Sequence, residues 1–137
     1  MRKLVILERE EEASLISLND EGSFNSLSED LLKELFAVLK EADKDHSTKV
    51  LILRGAGRGF SSGHNLKEVQ GNQDESFYRD LMESSKKVMK ILPNLNKPVI
   101  AEVHGVATAA GCQLVAACDL AYADTETKFA TPGVNIG

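Results

Sequence analysis

KPVIAEVHGVATAAGCQLVAACDLAYAD, Lys97 to Asp124, is the stretch that decides how this chain is read. Val99 to Val103 has the composition of a short buried strand, opened by Pro98 and closed by Gly105. Small residues then crowd together (Gly105, Ala107, Thr108, Ala109, Ala110, Gly111) ahead of the apolar run Leu114 to Ala117. A strand feeding a helix has this composition when the first helical turn must lie close to another group. The N–H groups of that turn have no partner inside the helix and carry the positive end of its dipole. Left uncovered by small side chains, they suit developing negative charge. Taken alone, the same residues would serve only to pack the helix tightly on its neighbours.

A second glycine-rich turn stands upstream. RGAGRGFSSGHNLKEV, Arg54 to Val69, follows the apolar strand Val50 to Leu53 and also presents backbone N–H groups after a strand. Together the two turns would supply one N–H each to a single oxyanion.

The rest of the chain alternates strand and helix. Leu4 to Glu8 and Ala13 to Asn19 read as a hairpin, and Asn19 to Ser23 as a turn. Ser26 and Glu29 have capping-box spacing for a helix reaching about Ala42, with Leu27, Leu31, Leu35, Val38, Leu39 and Ala42 on its apolar face. A crossover of that length before the strand at Val50 predicts parallel pairing. Leu66 to Val69 is a short helical turn. Asp74 to Leu92 is an amphipathic helix, turning in Phe77, Leu81, Ser84 or Ser85, Val88 and Leu92. Strand Val99 to Val103, helix Ala110 to Ala117 and strand Leu120 to Ala123 follow. The pattern is α/β.

Composition narrows the function classes. A chain of 137 residues is one domain's worth, and its net charge of −5 comes from interspersed acids and bases. That balance argues against nucleic acid or an anionic membrane surface as partner. No apolar run approaches a membrane span, and MRKLVILEREEE resembles neither a signal nor a transit peptide, so a cytoplasmic protein is expected. Cys112 and Cys118 stand six apart on one expected helix, about 240° round it, which disfavours a disulfide or a shared metal. His46, His64 and His104 lack metal-ligand spacing, so no metal is expected.

GFSSGHNLKEV (59–69) and KPVIAEVHGVATAAGCQLVAACDLAYADTETKFATPG (97–133) resemble the crotonase superfamily, also called the enoyl-CoA hydratase/isomerase family. The two blocks stand in the family's order, and the resemblance covers essentially the whole chain. It implies a ClpP/crotonase-like fold, a spiral of β-β-α units, incomplete at the C-terminus. On this reading residues 1–137 are the N-terminal part of a single domain whose C-terminal helical region is absent. Such a chain would expose apolar surface and self-associate. The resemblance further implies fatty acid metabolism, a coenzyme A thioester as substrate or ligand, no tightly bound cofactor, and a homo-oligomer (trimer or hexamer) in the full-length form.

In that family two backbone N–H groups polarise the thioester carbonyl and stabilise the enolate that follows. The matching positions are His64 in SSGHN and Ala110 in TAAGCQ, with Gly63 and Gly111 keeping the approach open. Donors of this kind are worth roughly 2.7–4 kcal/mol each. The resemblance places coenzyme A recognition on Gly57 to Ser62, with Arg58, Ser61, Ser62 and Gly63, and adds Gly111 and Lys67. Asn65 stands where the family often has Asp, and would brace the loop.

Hydratases of the family carry two glutamates, at the positions of Gln113 and Gly133. Water addition needs a base for the water and an acid for the α-carbon. Glutamine exchanges no proton near neutral pH, and glycine has no side chain. The expectation is therefore an acyl-CoA thioester-binding protein in which hydration is doubtful, with a non-catalytic acyl-CoA binder or interaction protein as the alternative. A third reading takes Gly59 to Gly63 as G-x-S-x-G, a serine hydrolase using Ser61. It is disfavoured because glycine-rich loop separates strand from motif and, beyond His64 adjoining the motif, His104 is the only histidine downstream.

Overall fold

In the computed structural model, which describes Met1–Gly137, the chain opens with an antiparallel hairpin of β1 (Val5–Glu10) and β2 (Ala13–Leu18). Helix α1 (Glu29–Lys44) carries the chain back to β3 (Val50–Gly55), which pairs parallel to β2 as the crossover predicts. Helices α2 (Leu66–Gly71) and α3 (Glu75–Ile91) lead to β4 (Val99–Val103), parallel to β3. A short strand β5 (Val106–Thr108) and helix α4 (Ala110–Ala117) precede β6 (Leu120–Ala123), parallel to β4. Strand β7 (Lys128–Ala130) pairs parallel with β5, and a helical turn α5 (Gly133–Ile136) ends the chain. The result is a five-stranded sheet in the order β1-β2-β3-β4-β6, with a separate two-stranded ribbon β5-β7.

The core lies between one face of the sheet and helices α1 and α3. Leu31, Leu32, Leu35 and Leu39 of α1 are fully buried against Ile16, Leu18, Leu51, Leu53 and Val99 of the sheet and Leu81 and Val88 of α3. Each such side chain contributes about 1.5–3 kcal/mol by leaving water, which is why the amphipathic stripes of the two helices settle on this face.

Three sequence expectations need correction. The capping box at Ser26 and Glu29 does not form. Leu27 is held extended by an N–H bond to the Gly63 carbonyl (2.7 Å), so the helix starts two residues later, capped by Ser28 Oγ on the Leu31 N–H (3.2 Å). The Glu29 N–H is taken by the Glu68 carboxylate of α2 instead (3.1 Å). The ribbon β5-β7 was not anticipated, because its two three-residue strands pair only after α4 and β6 have intervened. Cys118 lies just past the end of α4, its Sγ against the Leu114 carbonyl (3.3 Å). Both cysteines are free, and burial, with the Asp119 charge, pushes the Cys118 thiol up to about 12.

Candidate functional site

The two glycine-rich turns meet. Ser61 donates its N–H to the Val106 carbonyl (3.2 Å) and accepts from the Thr108 N–H (3.0 Å), a parallel bridge that zips the first turn onto β5. The approach beyond that bridge is closer than side chains allow. A Cβ on Gly63, whose φ is +88°, would stand 2.9 Å from the Thr108 carbonyl oxygen and 3.1 Å from the Ala110 nitrogen. A Cβ on Gly111 would fall 2.3 Å from the Ser61 carbonyl oxygen. Both glycines are therefore required for backbone contact between the turns.

At this junction the N–H groups of His64 and Ala110 donate to no acceptor in the chain. Ala110 is buried and His64 half-buried. Ala110 opens α4, so its N–H is one of the first-turn groups that no helix satisfies from within, and the His64 N–H stands beside it across the junction. Ala109, between β5 and α4, sets the aim of the second group. It adopts φ 52° and ψ −123°, a conformation costly for any residue with a side chain, and its N–H is anchored on the Ala130 carbonyl of β7 (2.8 Å).

Two hollows flank the junction. One, a cleft of about 360 Å³, includes Ser23, Ser26, Ser62, His64, Asn65 and Lys67 in its walls. The other, about 480 Å³, is walled by Ala109, Cys112, Gln113, Ala116, Thr131 and Gly133. Gln113 and Gly133, twenty residues apart in sequence, thus share one wall, and no carboxylate joins them there. Gly133 faces open space, with nothing within 4 Å of a Cβ placed on it.

The remaining predicted residues divide. Ser62 and Lys67 line the cleft. Arg58 is exposed, its guanidinium 5.0 Å over the ring of Phe24 at the edge of the same cleft. Ser61 is fully buried and its hydroxyl donates to the Asn25 carbonyl (2.8 Å), an arrangement that suits neither a ligand contact nor a hydrolase nucleophile. His104 is engaged elsewhere, with Nε2 on the Gly57 carbonyl (2.7 Å). Gly111 packs against Ser61.

The sequence reading missed Asn25. Fully buried and in the left-handed region (φ 53°), it donates its amide to the carbonyls of Ala56 (2.9 Å), Gly59 (2.9 Å) and Phe60 (3.2 Å) and accepts from the Asp20 N–H (2.8 Å). One side chain thus ties the 20–25 loop to the glycine-rich turn. The signal available was an asparagine inside a turn-rich run, a type that tolerates this backbone region. Asn65 braces as expected, its Oδ1 capping α2 on the Lys67 (3.1 Å) and Glu68 (3.2 Å) N–H groups. The His64 side chain is not idle: its ring is within 3.2 Å of Ser85 Oγ on α3, and burial holds its pKa below the ordinary value. No cluster of side chains suited to a metal ion is present, and no helix is long and apolar enough to cross a membrane.

The chain has relatives among known proteins. The chain is 44% identical over 135 residues to the mitochondrial enoyl-CoA hydratase domain-containing protein 3 of Xenopus laevis, covering 98% of this chain and 46% of that protein. It is 35% identical to the short-chain-enoyl-CoA hydratase of Clostridium acetobutylicum, over 97% of this chain and 51% of that one. The crystal structure of human enoyl Coenzyme A hydratase domain-containing protein 3 superposes with a TM-score of 0.93 at 39% identity, covering 98% of this chain and 53% of that one. The α/β fold is thus that of crotonase-type proteins, and the chain spans about half the length of the relatives it matches. The family model for enoyl-CoA hydratase/isomerase matches residues 8–137, and the chain belongs to the enoyl-CoA hydratase/isomerase family.

Proposed function

We propose that this chain binds acyl-CoA thioesters and polarises the thioester carbonyl through the N–H groups of His64 and Ala110. The observation that carries the reading is the pair of N–H groups without acceptors where the two turns meet. A carbonyl oxygen set between them would gain charge as an enolate forms, and fixed donors stabilise that charge without reorganising. The second hollow then takes the acyl group, and the cleft along Ser62 and Lys67 takes the coenzyme A arm, with Arg58 and Lys67 available to its phosphates. No tightly bound cofactor is part of the reading.

Hydration is not part of it either. Gln113 and Gly133 line the same hollow at the positions where two carboxylates would be needed, and neither transfers a proton at neutral pH. The absence of any carboxylate from that wall favours the second reading, a non-catalytic acyl-CoA binder. Residues 1–137 acting as the N-terminal part of one crotonase-like domain, a homo-oligomeric full-length form (trimer or hexamer) and a cytoplasmic location belong to the same proposal. The vertebrate relatives carry "mitochondrial" in their names.

Calorimetric titration with acetoacetyl-CoA, alongside an assay of crotonyl-CoA hydration, tests the proposal. Binding without turnover is expected. Turnover at an ordinary enzymatic rate would show that the proton-transferring groups lie elsewhere. Absence of binding would overturn the reading for this chain.

A further inference from the structure

Ser26 carries the only buried side-chain polar atom in the molecule without a hydrogen-bond partner. The residue is 4% exposed and belongs to the wall of the cleft that holds Ser62, His64 and Lys67. Its neighbours in that wall are committed. Ser23 Oγ donates to Asp20 and accepts the Ser26 N–H (3.1 Å), Ser62 Oγ donates to the Ser23 carbonyl (3.0 Å), and Asn65 Oδ1 caps α2. A buried hydroxyl left unpaired is a standing cost to the fold, and Ala would fill the same space without it. Leu27 pairs in parallel with His64, so Ser26 is one residue from the strand partner of the proposed N–H donor.

We propose that Ser26 Oγ is a ligand-binding group of this cleft, hydrogen-bonding an uncharged carbonyl or amide of the arm that leads away from the thioester. The inference rests on the acyl-thioester reading and adds to it a contact made by a side chain instead of the backbone. The partner is uncharged because the hydroxyl lies below the surface, whereas the cleft's cation, Lys67, is exposed. Charged groups of a ligand belong with Lys67, and the polar but neutral part of its arm belongs with Ser26.

The test compares the full chain with Ser26→Ala in two measurements: thermal unfolding without ligand, and calorimetric titration with acetoacetyl-CoA. The expected result is an unfolding temperature equal to or slightly above wild type, together with about tenfold weaker binding. Unchanged affinity in the variant, with wild type binding normally, would overturn the role of Ser26 and leave the thioester reading standing. A lowered unfolding temperature without ligand would also overturn it, by showing that the hydroxyl has a structural partner. If wild type fails to bind, the thioester reading falls and this inference with it.

Discussion

At the residue scale, Ala109 and His64 each carry a measurable consequence of where the turns put them. Ala109 holds a positive φ of 52° that glycine would adopt freely. Ala109→Gly should therefore stabilise the chain by about 1 kcal/mol, a rise of roughly 4 °C in a thermal melt. His64 is held neutral by burial, so its folded-state pKa lies below that of the unfolded chain. Its contribution is complete above the unfolded value and declines as pH falls, because the unfolded chain takes up the proton first. Between about pH 7.5 and about pH 5.5 the melting temperature of wild type should fall further than that of His64→Gln. Equal falls would mean that the ring is solvated and that its proximity to Ser85 contributes nothing.

At the scale of elements, the site depends on three segments held by backbone and one amide: the 20–25 loop, the 54–65 turn and the β5-α4 junction. Asn25 secures the first to the second, and its loss would leave the Ala56, Gly59 and Phe60 carbonyls short of donors. Asn25→Ala should cost about 3–5 kcal/mol, read as a lower urea midpoint at unchanged slope. Gly111 secures the second to the third. A methyl group there would collide with the Ser61 carbonyl at 2.3 Å, and backbone cannot rotate away as a side chain can. Gly111→Ala should lose roughly 3 kcal/mol and, with the junction displaced, acetoacetyl-CoA binding as well. At β4 and β6 a similar bond works through one carboxylate: Asp119 Oδ2 accepts the Val99 N–H (2.7 Å).

At the scale of the whole molecule, apolar surface is distributed unevenly. β6 is an edge strand paired on one side only, with Leu120 and Tyr122 exposed, and Phe129, Val134 and Ile136 lie exposed along the chain that follows. An open edge carrying large apolar side chains invites pairing with another copy. Sedimentation velocity at rising concentration should show reversible association, and Tyr122→Lys, which places a charge on the edge, should shift the chain toward monomer. A wild-type chain that stays monomeric throughout would remove the edge as an association surface.

The sequence by itself determined the order of the five strands of the main sheet and of helices α1 to α4, and the parallel crossover through α1, because hydrophobic period and connection length are local properties. It also located the pairing of two small-residue turns, since Gly63 and Gly111 record a crowding that no other residue survives. What it left open was settled by contacts between segments far apart in the chain. Ser26 and Glu29 have the spacing of a cap, yet Leu27 is drawn into a bridge with the 63–64 turn and the cap moves to Ser28. Ser61 lies within a nucleophile-like motif, yet its hydroxyl is consumed by Asn25. β5 and β7 are too short to announce themselves and exist because they meet. Only the tertiary structure decided which hydroxyls and N–H groups are spent within the fold and which are left without a partner, because a hydrogen bond is a property of two partners and the chain names them one at a time.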